Sequence, residues 1–225
     1  MKINLNQFDL IIFDFDGVII DSNDIKTEAF KKSIKNESKE NIENFIKYHK
    51  LNFNISRYKK FEHFYSKIKK INKKKLKFSM KNTLLKYSKI NKELSLKSRV
   101  IYGLTNFLKK LRKLNIKLIV ISSSDTDDIK FVLKKKNLSK YFSEVLGSPT
   151  SKKKHFKNIK NNLNNKIQVL SLGDSKNDYL ISKSMAFDFI YIKSKSFWFG
   201  DNKIKKNIKY NLKNFSRKEV KNIFY

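Results

Sequence analysis

The sequence predicts an α/β protein: a doubly wound parallel sheet, interrupted after its first strand by an inserted α-helical domain. Three observations predict this. The apolar run Leu10-Ile11-Ile12 leads into Phe13-Asp14-Phe15-Asp16-Gly17-Val18, which reads as a buried strand ending abruptly at a polar turn. A long stretch then follows with helical periodicity and no convincing strand. Beyond Lys97, β-rich runs alternate with helix stripes, the pattern of parallel strands joined by crossover helices. The chain therefore divides into a core, residues 1–20 and 98–225, and a helical insert, residues 21–97.

In chain order, Phe8–Phe15 is the first strand, and the turn after it runs to Val18. Asp21, Ser22, Asn23 and Asp24 supply candidate helix N-caps. Four amphipathic faces follow: Ile25, Ala29 and Phe30; Ile42, Phe45, Ile46 and His49; Tyr58, Phe61, Phe64, Tyr65 and Ile68; and Leu76, Met80, Leu84 and Tyr87. Each helix is too short to be stable alone, so the four imply a small bundle. His49 and His63 read as residues on helix flanks rather than ligands. The stripe Leu104, Phe107, Leu108, Leu111 and Leu114 is a helix, and Ile116–Ile121 is a strand ending in Ser122-Ser123-Ser124-Asp125. A helix through Ile129 and Val132, a short strand near Phe142–Leu146 and a helix through Phe156 and Ile159 come next. Ile167–Leu172 is a strand ending in Gly173-Asp174-Ser175-Lys176-Asn177-Asp178. A helix with Leu180 and Ile181 and a last strand, Phe187–Ile192, complete the pattern, and Val220, Ile223 and Phe224 suit one closing helix.

Composition bounds the function. Apolar residues make up 40% of 225, enough for a real core. Without cysteine there is neither a disulfide framework nor a thiolate metal site. The N-terminus lacks a signal-peptide apolar segment, and no apolar run approaches the ~18 residues of a membrane span, so a cytoplasmic protein with no membrane partner is expected. The net charge of +32 invites a nucleic-acid reading. The lysines are nevertheless spread along the chain, with modest clusters at Lys67–Lys77 and Lys134–Lys140, which fits a chain-wide compositional bias. No specific nucleic-acid partner is expected, only weak, salt-sensitive adsorption to polyanions. The sequence leaves the oligomeric state open.

In such a sheet, ligands bind beyond the carboxyl ends of the strands. Three strands deliver polar residues there: Asp14 and Asp16; Ser122; and Asp174, with Asp178 following. The chain has five glycines and one proline, yet Gly17, Gly147, Gly173 and Pro149 all fall in these loops. Converging carboxylates repel unless a cation lies between them. Oxygen ligands without cysteine or a histidine cluster favour Mg²⁺ over zinc. Ser122, with Ser123 beside it and the backbone N–H groups of the strand-end turn, can donate to phosphoryl oxygens. A lysine after Pro149 can offset the remaining charge, and one carboxylate is left to attack phosphorus as a nucleophile.

Together these residues resemble the four motifs of the haloacid dehalogenase superfamily: Asp14-Phe15-Asp16-Gly17-Val18, a serine closing an apolar strand at Ser122, a lysine after Gly147-Ser148-Pro149-Thr150-Ser151, and Gly173-Asp174-Ser175-Lys176-Asn177-Asp178. They stand in the right order and span Asp14–Asp178. The long gap between the first and second motifs resembles that of members whose helical cap follows the first motif. The resemblance implies Asp14 as nucleophile, with Asp16 as the acid that protonates the leaving oxygen and then the base that activates water. It implies Mg²⁺ held by Asp14, the backbone carbonyl of Asp16 and Asp174, with Asp178 direct or through water. It implies Ser122 at the phosphoryl group, with Ser123 adjacent, and Lys152 as the best match to the third-motif lysine. Register within Lys152-Lys153-Lys154 is not fixed by the sequence. Dehalogenases of the superfamily lack an acid two residues after the nucleophile, so Asp16 favours phosphoryl transfer.

The expected function is a Mg²⁺-dependent phosphatase of a small phosphorylated metabolite, such as a sugar phosphate or phosphoglycolate, working through an aspartyl-phosphate. The alternative is a phosphomutase of the β-phosphoglucomutase type, and a third reading is a polyanion-binding protein on the same fold. The cap is expected to set specificity, with Arg57, after the polar break Asn52–Ser56, as a candidate fork for a second anion. Asp21–Asp24 and Leu94–Arg99 are the expected hinges.

Overall fold

Six parallel strands form one sheet in the order β3-β2-β1-β4-β5-β6. The computed structural model describes residues 2–53, 55–164 and 166–225. The strands are β1 (Leu10–Phe13), β2 (Lys117–Asp125), β3 (Glu144–Ser148), β4 (Val169–Gly173), β5 (Asp188–Ile192) and β6 (Tyr210–Leu212). The central strand β1 is buried throughout and pairs on both sides, Leu10 lying opposite Lys117 of β2 and Val169 of β4. A strand with both faces and both edges covered has to be a continuous apolar run, which is what Leu10–Phe13 is.

Strand alternation sends side chains to opposite faces. Ile11, Phe13, Leu118, Val120, Leu170 and Leu172 pack on one side. Leu10, Ile12, Ile119, Ile121 and Val169 pack on the other. The first face is covered by α5 (Leu104–Lys113), α6 (Thr126–Lys135) and α10 (Arg217–Ile223), the second by α7 (Lys152–Asn162) and α8 (Lys176–Ser184). Helices on both faces make the sheet doubly wound, as the sequence predicts. A short α9 (Asn202–Lys206) precedes β6.

Between β1 and β2 the chain forms α1 (Asn23–Ser33), α2 (Lys39–Leu51), α3 (Arg57–His63), a π-type turn over Phe64–Ile68, and the long α4 (Lys73–Lys97). These helices have their own aromatic core, in which Phe30, Phe45, Phe61, Phe64, Tyr65 and Tyr87 are buried. Each such ring contributes about 2–3 kcal/mol by leaving water, which offsets the low intrinsic stability of short helices. The two crossings between insert and core run side by side. The N–H of Asp21 donates to the Arg99 carbonyl at 2.9 Å and that of Ile101 to the Ile19 carbonyl at 3.0 Å.

The differences from expectation sit at boundaries and in the tail. β1 is shorter than Phe8–Phe15 because the chain turns at Asp14–Gly17, with Ile19 and Ile20 both donating to the Phe15 carbonyl. β2 runs on through Ser122–Asp125, with its register to β3 shifting between Ile121 and Asp125. β6 is an additional edge strand, and its three residues carry no apolar run to announce it. His49 is fully buried rather than on a flank. Its ring nitrogens contact Lys60 Nζ at 2.9 Å and Thr27 Oγ1 at 3.1 Å.

Candidate active site

The acidic residues gather at the carboxyl end of the sheet because β1 and β4 are neighbours. The Asp14 N–H donates to the Leu172 carbonyl at 2.9 Å, which fixes the start of the β1 turn beside the end of β4. Asp174 follows β4 directly, and Asp178 lies in the first turn of α8. Asp178 and Ser175 form a reciprocal capping box, so Asp178 is held by its own helix start. Oxygen atoms of Asp14, Asp174 and Asp178 lie within 4.8 Å of one another, and all three residues are buried.

Gly17 closes the turn. Its φ is +77°, and a Cβ there would stand 2.1 Å from Asp174 Oδ2. Only glycine fits both the backbone and the space. Asn23, at the start of α1, donates to Asp174 Oδ2 at 2.8 Å and to the Lys195 carbonyl at 2.7 Å. The first helix of the insert is thereby tied to the acidic cluster.

Lys152 is the lysine that reaches this cluster. It is buried at the start of α7, while Lys153 and Lys154 are exposed. Its Nζ lies 2.8 Å from Asp14 Oδ1 and 2.6 Å from Asp178 Oδ1. Burial opposes its charge, but the two carboxylates outweigh burial and raise its pKa. Ser122 is buried at the end of β2, with its Oγ 3.4 Å from Asp16 Oδ2. Ser123 borders the same cavity as Asp14, Ser122 and Lys152.

The two acids of the β1 turn sit in opposite environments. Burial is the chief cause that raises Asp14 from 3.8 to about 6; Lys152 opposes this, and repulsion from Asp178 and Asp16 adds to it. Asp174 is likewise raised well above its ordinary value, by burial and then by Asp14 and Asp178. Burial would raise Asp16 too, but Lys26 Nζ at 2.5 Å and hydrogen bonds from Ser22 and Ser124 bring it below its ordinary value. Asp16 therefore points away from the acidic cluster and toward groups of α1, its N-cap and β2.

No motif marks Lys26 or Asn23 as a site residue, since a lysine and an asparagine on a helix start are ordinary in this chain. Arg57 lies at the start of α3, where Nη1 is 2.5 Å from Asp128 and Nη2 is 2.8 Å from Asp125. Tyr58 and Ser88 also donate to these two acids, and Lys92 lies 3.2 Å from Asp128. The guanidinium fork thus joins the insert to the start of α6. Arg57→Met should cost about 3 kcal/mol, because the buried Asp128 and the half-buried Asp125 lose their main partner. A double cycle with Asp128→Asn checks this by thermal unfolding: the paired variant should recover much of the loss.

A hard cation suits the donor set. Three buried carboxylates facing one another, two of them with raised pKa values, are repulsive as they stand. Oxygen donors of this kind fit Mg²⁺.

Comparison with known proteins places this arrangement. A search of curated proteins finds no match. Among solved structures, a predicted phosphoglycolate phosphatase from Haemophilus somnus 129PT superposes with a TM-score of 0.71 at 19% identity, over 94% of this chain and 96% of that one. A provisionally named β-phosphoglucomutase from Thermotoga maritima gives 0.63 at 16%, over 92% and 94%. A provisionally named hydrolase of Bacillus subtilis bound to magnesium gives 0.66 at 15%, over 96% and 97%. At these identities the likeness is one of fold. The model of the haloacid dehalogenase-like hydrolases matches residues 11–192, from β1 through β5 and across every acid of the cluster. On that match the chain belongs to the haloacid dehalogenase-like hydrolase family.

Proposed function

We propose that the chain is a cytoplasmic, Mg²⁺-dependent phosphoric monoester hydrolase that cleaves a small phosphorylated metabolite through an aspartyl-phosphate. The observation that carries this is the pair Asp14 and Asp16: two carboxylates in one turn, one beside Lys152 and two further acids, the other held by Lys26 and serine hydroxyls. Pairs of acids with divergent environments are how one site divides nucleophilic from acid–base work.

Asp14 attacks phosphorus, and the bond to the leaving oxygen breaks. Lys152 and Ser122 hold the phosphoryl oxygens and keep the group in line. Asp16 gives its proton to the leaving oxygen, then takes one from the water that hydrolyses the acyl phosphate. Mg²⁺, held by Asp14, Asp174 and the Asp16 carbonyl, with Asp178 direct or through water, would offset the charge gathered on the phosphoryl group. The resting arrangement, with Asp16 lowered by Lys26, suits the base role. Its acid role calls for Lys26 to withdraw. Lys26 and Ser22 belong to the entry of the insert, so lifting the cap about its paired hinges changes the proton affinity of Asp16.

A panel of phosphorylated metabolites, assayed for phosphate release with and without Mg²⁺, tests the proposal. Mg²⁺-dependent release from a small metabolite is expected. Isomerisation of glucose 1-phosphate without free phosphate, given a trace of bisphosphate, would overturn hydrolysis in favour of the phosphomutase.

A further inference from the structure

An open cleft of about 450 Å³ lies beside the acidic cluster, between insert and core. That is within the ~300–1,000 Å³ usual for small-molecule sites. Asp174 and Phe53 border both this cleft and the small cavity of Asp14, Ser122 and Lys152. A phosphoryl group beside Asp14 therefore has two ways to direct its leaving group. Toward Arg57 and Asp128 the space is about 20 Å³, room for roughly one water. A larger leaving group has to lie in the cleft.

The cleft is walled by rings. Phe53 is delivered to it by the insert: its carbonyl accepts from the buried Lys60 Nζ at 3.0 Å, and its ring lies 4.8 Å from that of His49. On the core side the Phe53 ring meets Phe197 edge-on at 5.0 Å. Ser196 anchors that side. Its Oγ donates to the Asp174 carbonyl and accepts from Tyr191 Oη at 2.8 Å and from the Trp198 N–H at 3.0 Å. Phe197, Trp198 and Phe199 are thus set relative to the acidic cluster and all border the cleft.

Leu51 at the end of α2, Leu180 on α8 and Phe199 after β5 are 77%, 45% and 80% exposed, and all three converge on the same cleft. Lys50, Lys176 and Asp201 give it a polar rim. Single exposed apolar residues are ordinary, but several around one cleft with a polar rim mark a binding surface. Asn177 also borders it, half-buried, and among the described residues its amide has no hydrogen-bond partner. An amide offers a donor and an acceptor side by side, and ring faces attract other flat rings.

We propose that this cleft receives an aromatic ring carried by the leaving group, so that the substrate is a phosphomonoester of a ring-bearing alcohol. A nucleoside 5′-monophosphate is the form that also uses Asn177, through the edge of its base. The ring lies against Phe53, Phe197 and Phe199. The inference rests on the phosphoester-hydrolase reading above and names the leaving group for it.

The test compares adenosine and uridine 5′-monophosphates with ribose 5-phosphate, which lacks the base, and 4-phenylbutyl phosphate with butyl phosphate. In kcat/KM the wild type should prefer the nucleotides to ribose 5-phosphate by at least about tenfold, the size expected when one base stacks on an aromatic side chain. Phe199→Ala and Phe53→Leu should each cut that ratio by at least about threefold. Phe78→Ala, which removes an exposed ring of α4, should leave it unchanged. A matching preference for 4-phenylbutyl phosphate supports recognition by ring faces, and a preference confined to the nucleotides supports faces and the Asn177 edge together. A binding arm needs no turnover. Trp198 is the only tryptophan in the chain and borders the cleft, so its fluorescence reports occupancy. With orthophosphate and Mg²⁺ present, adenosine should quench it, ribose should not, and Phe199→Ala should weaken the effect. Phosphate release with no preference for ring-bearing esters, or a ratio unchanged in both variants, overturns this inference and leaves the hydrolase reading standing. Quenching by adenosine with no phosphoester hydrolysed supports the cleft and overturns the hydrolase reading.

Discussion

Asp14→Asn is expected to abolish turnover and, in metal-free protein, to raise the melting temperature. The first effect follows from removing the attacking oxygen, and a loss of at least about 10³-fold is expected when a covalent route is closed. The second follows from the raised carboxyl. A folded-state value of about 6 against the ordinary 3.8 means that the ionised form is disfavoured by burial and by its acidic neighbours. The shift corresponds to about 3 kcal/mol once Asp14 is fully ionised. Asparagine resembles the protonated acid and avoids most of this, so a gain of about 2 kcal/mol is expected, or roughly 4–8 °C for a chain of this size. Below pH 3.8 the group is protonated in both folded and unfolded chains, and the variants should coincide. Between 3.8 and about 6 the unfolded chain ionises while the folded wild type stays protonated, so the gap between variants should open across that window and level off above 6. Melting curves in chelator from pH 4 to 7.5 measure this directly. Added Mg²⁺ should narrow the gap, because it stabilises the wild type more. A variant less stable than the wild type across that range would mean that the Lys152 pairing outweighs the repulsion.

Gly17→Ala should damage fold and site together. The new Cβ would fall 2.1 Å from Asp174 Oδ2 and 2.8 Å from Asn23 Nδ2, at a φ of +77° that L-residues rarely adopt. The backbone term costs about 1–3 kcal/mol. The contact term forces Asp174 to move, and a carboxylate displaced by about 1 Å from a catalytic arrangement can cost ~100-fold in rate. Gly200→Ala separates the two terms. Its φ is +71°, and its Cβ would meet nothing within 4 Å. Gly200→Ala should therefore lose a little stability and keep its activity, while Gly17→Ala loses stability, Mg²⁺ affinity and activity together. Equal behaviour of the two would show that Asp174 tolerates the shift.

The sheet and the acids at its edge were legible because each strand there is an apolar run that stops at a polar residue. Leu10–Phe13 ends at Asp14, and Val169–Gly173 ends at Asp174. The insert was legible through helical period, since its aromatic core recurs at three- and four-residue steps. β6 was not, because three residues at an edge need no apolar pattern. Contacts between residues far apart in sequence were not legible either. Asn23 meets Asp174 across 151 positions and Arg57 meets Asp128 across 71, and no local signal marks either pair. Lys60 was hidden for a compositional reason. In a chain with 52 lysines and arginines, one more lysine on a helix carries no information until its burial is known. The same excess concealed Lys26, whose pairing with Asp16 changes the acid–base character of the site.

The most direct test of the account is to locate the phosphoryl group during turnover. Asp16→Asn should slow hydrolysis of the acyl phosphate while leaving Asp14 free to form it. Acetyl phosphate, whose leaving group needs no proton, would load this variant in the presence of Mg²⁺. Acid quench, proteolysis and mass spectrometry should then find a hydroxylamine-labile phosphoryl group on Asp14 and on no other residue. A wild type that releases phosphate while the variant never carries this label, or a label that maps elsewhere, would contradict the assignment of Asp14 as nucleophile.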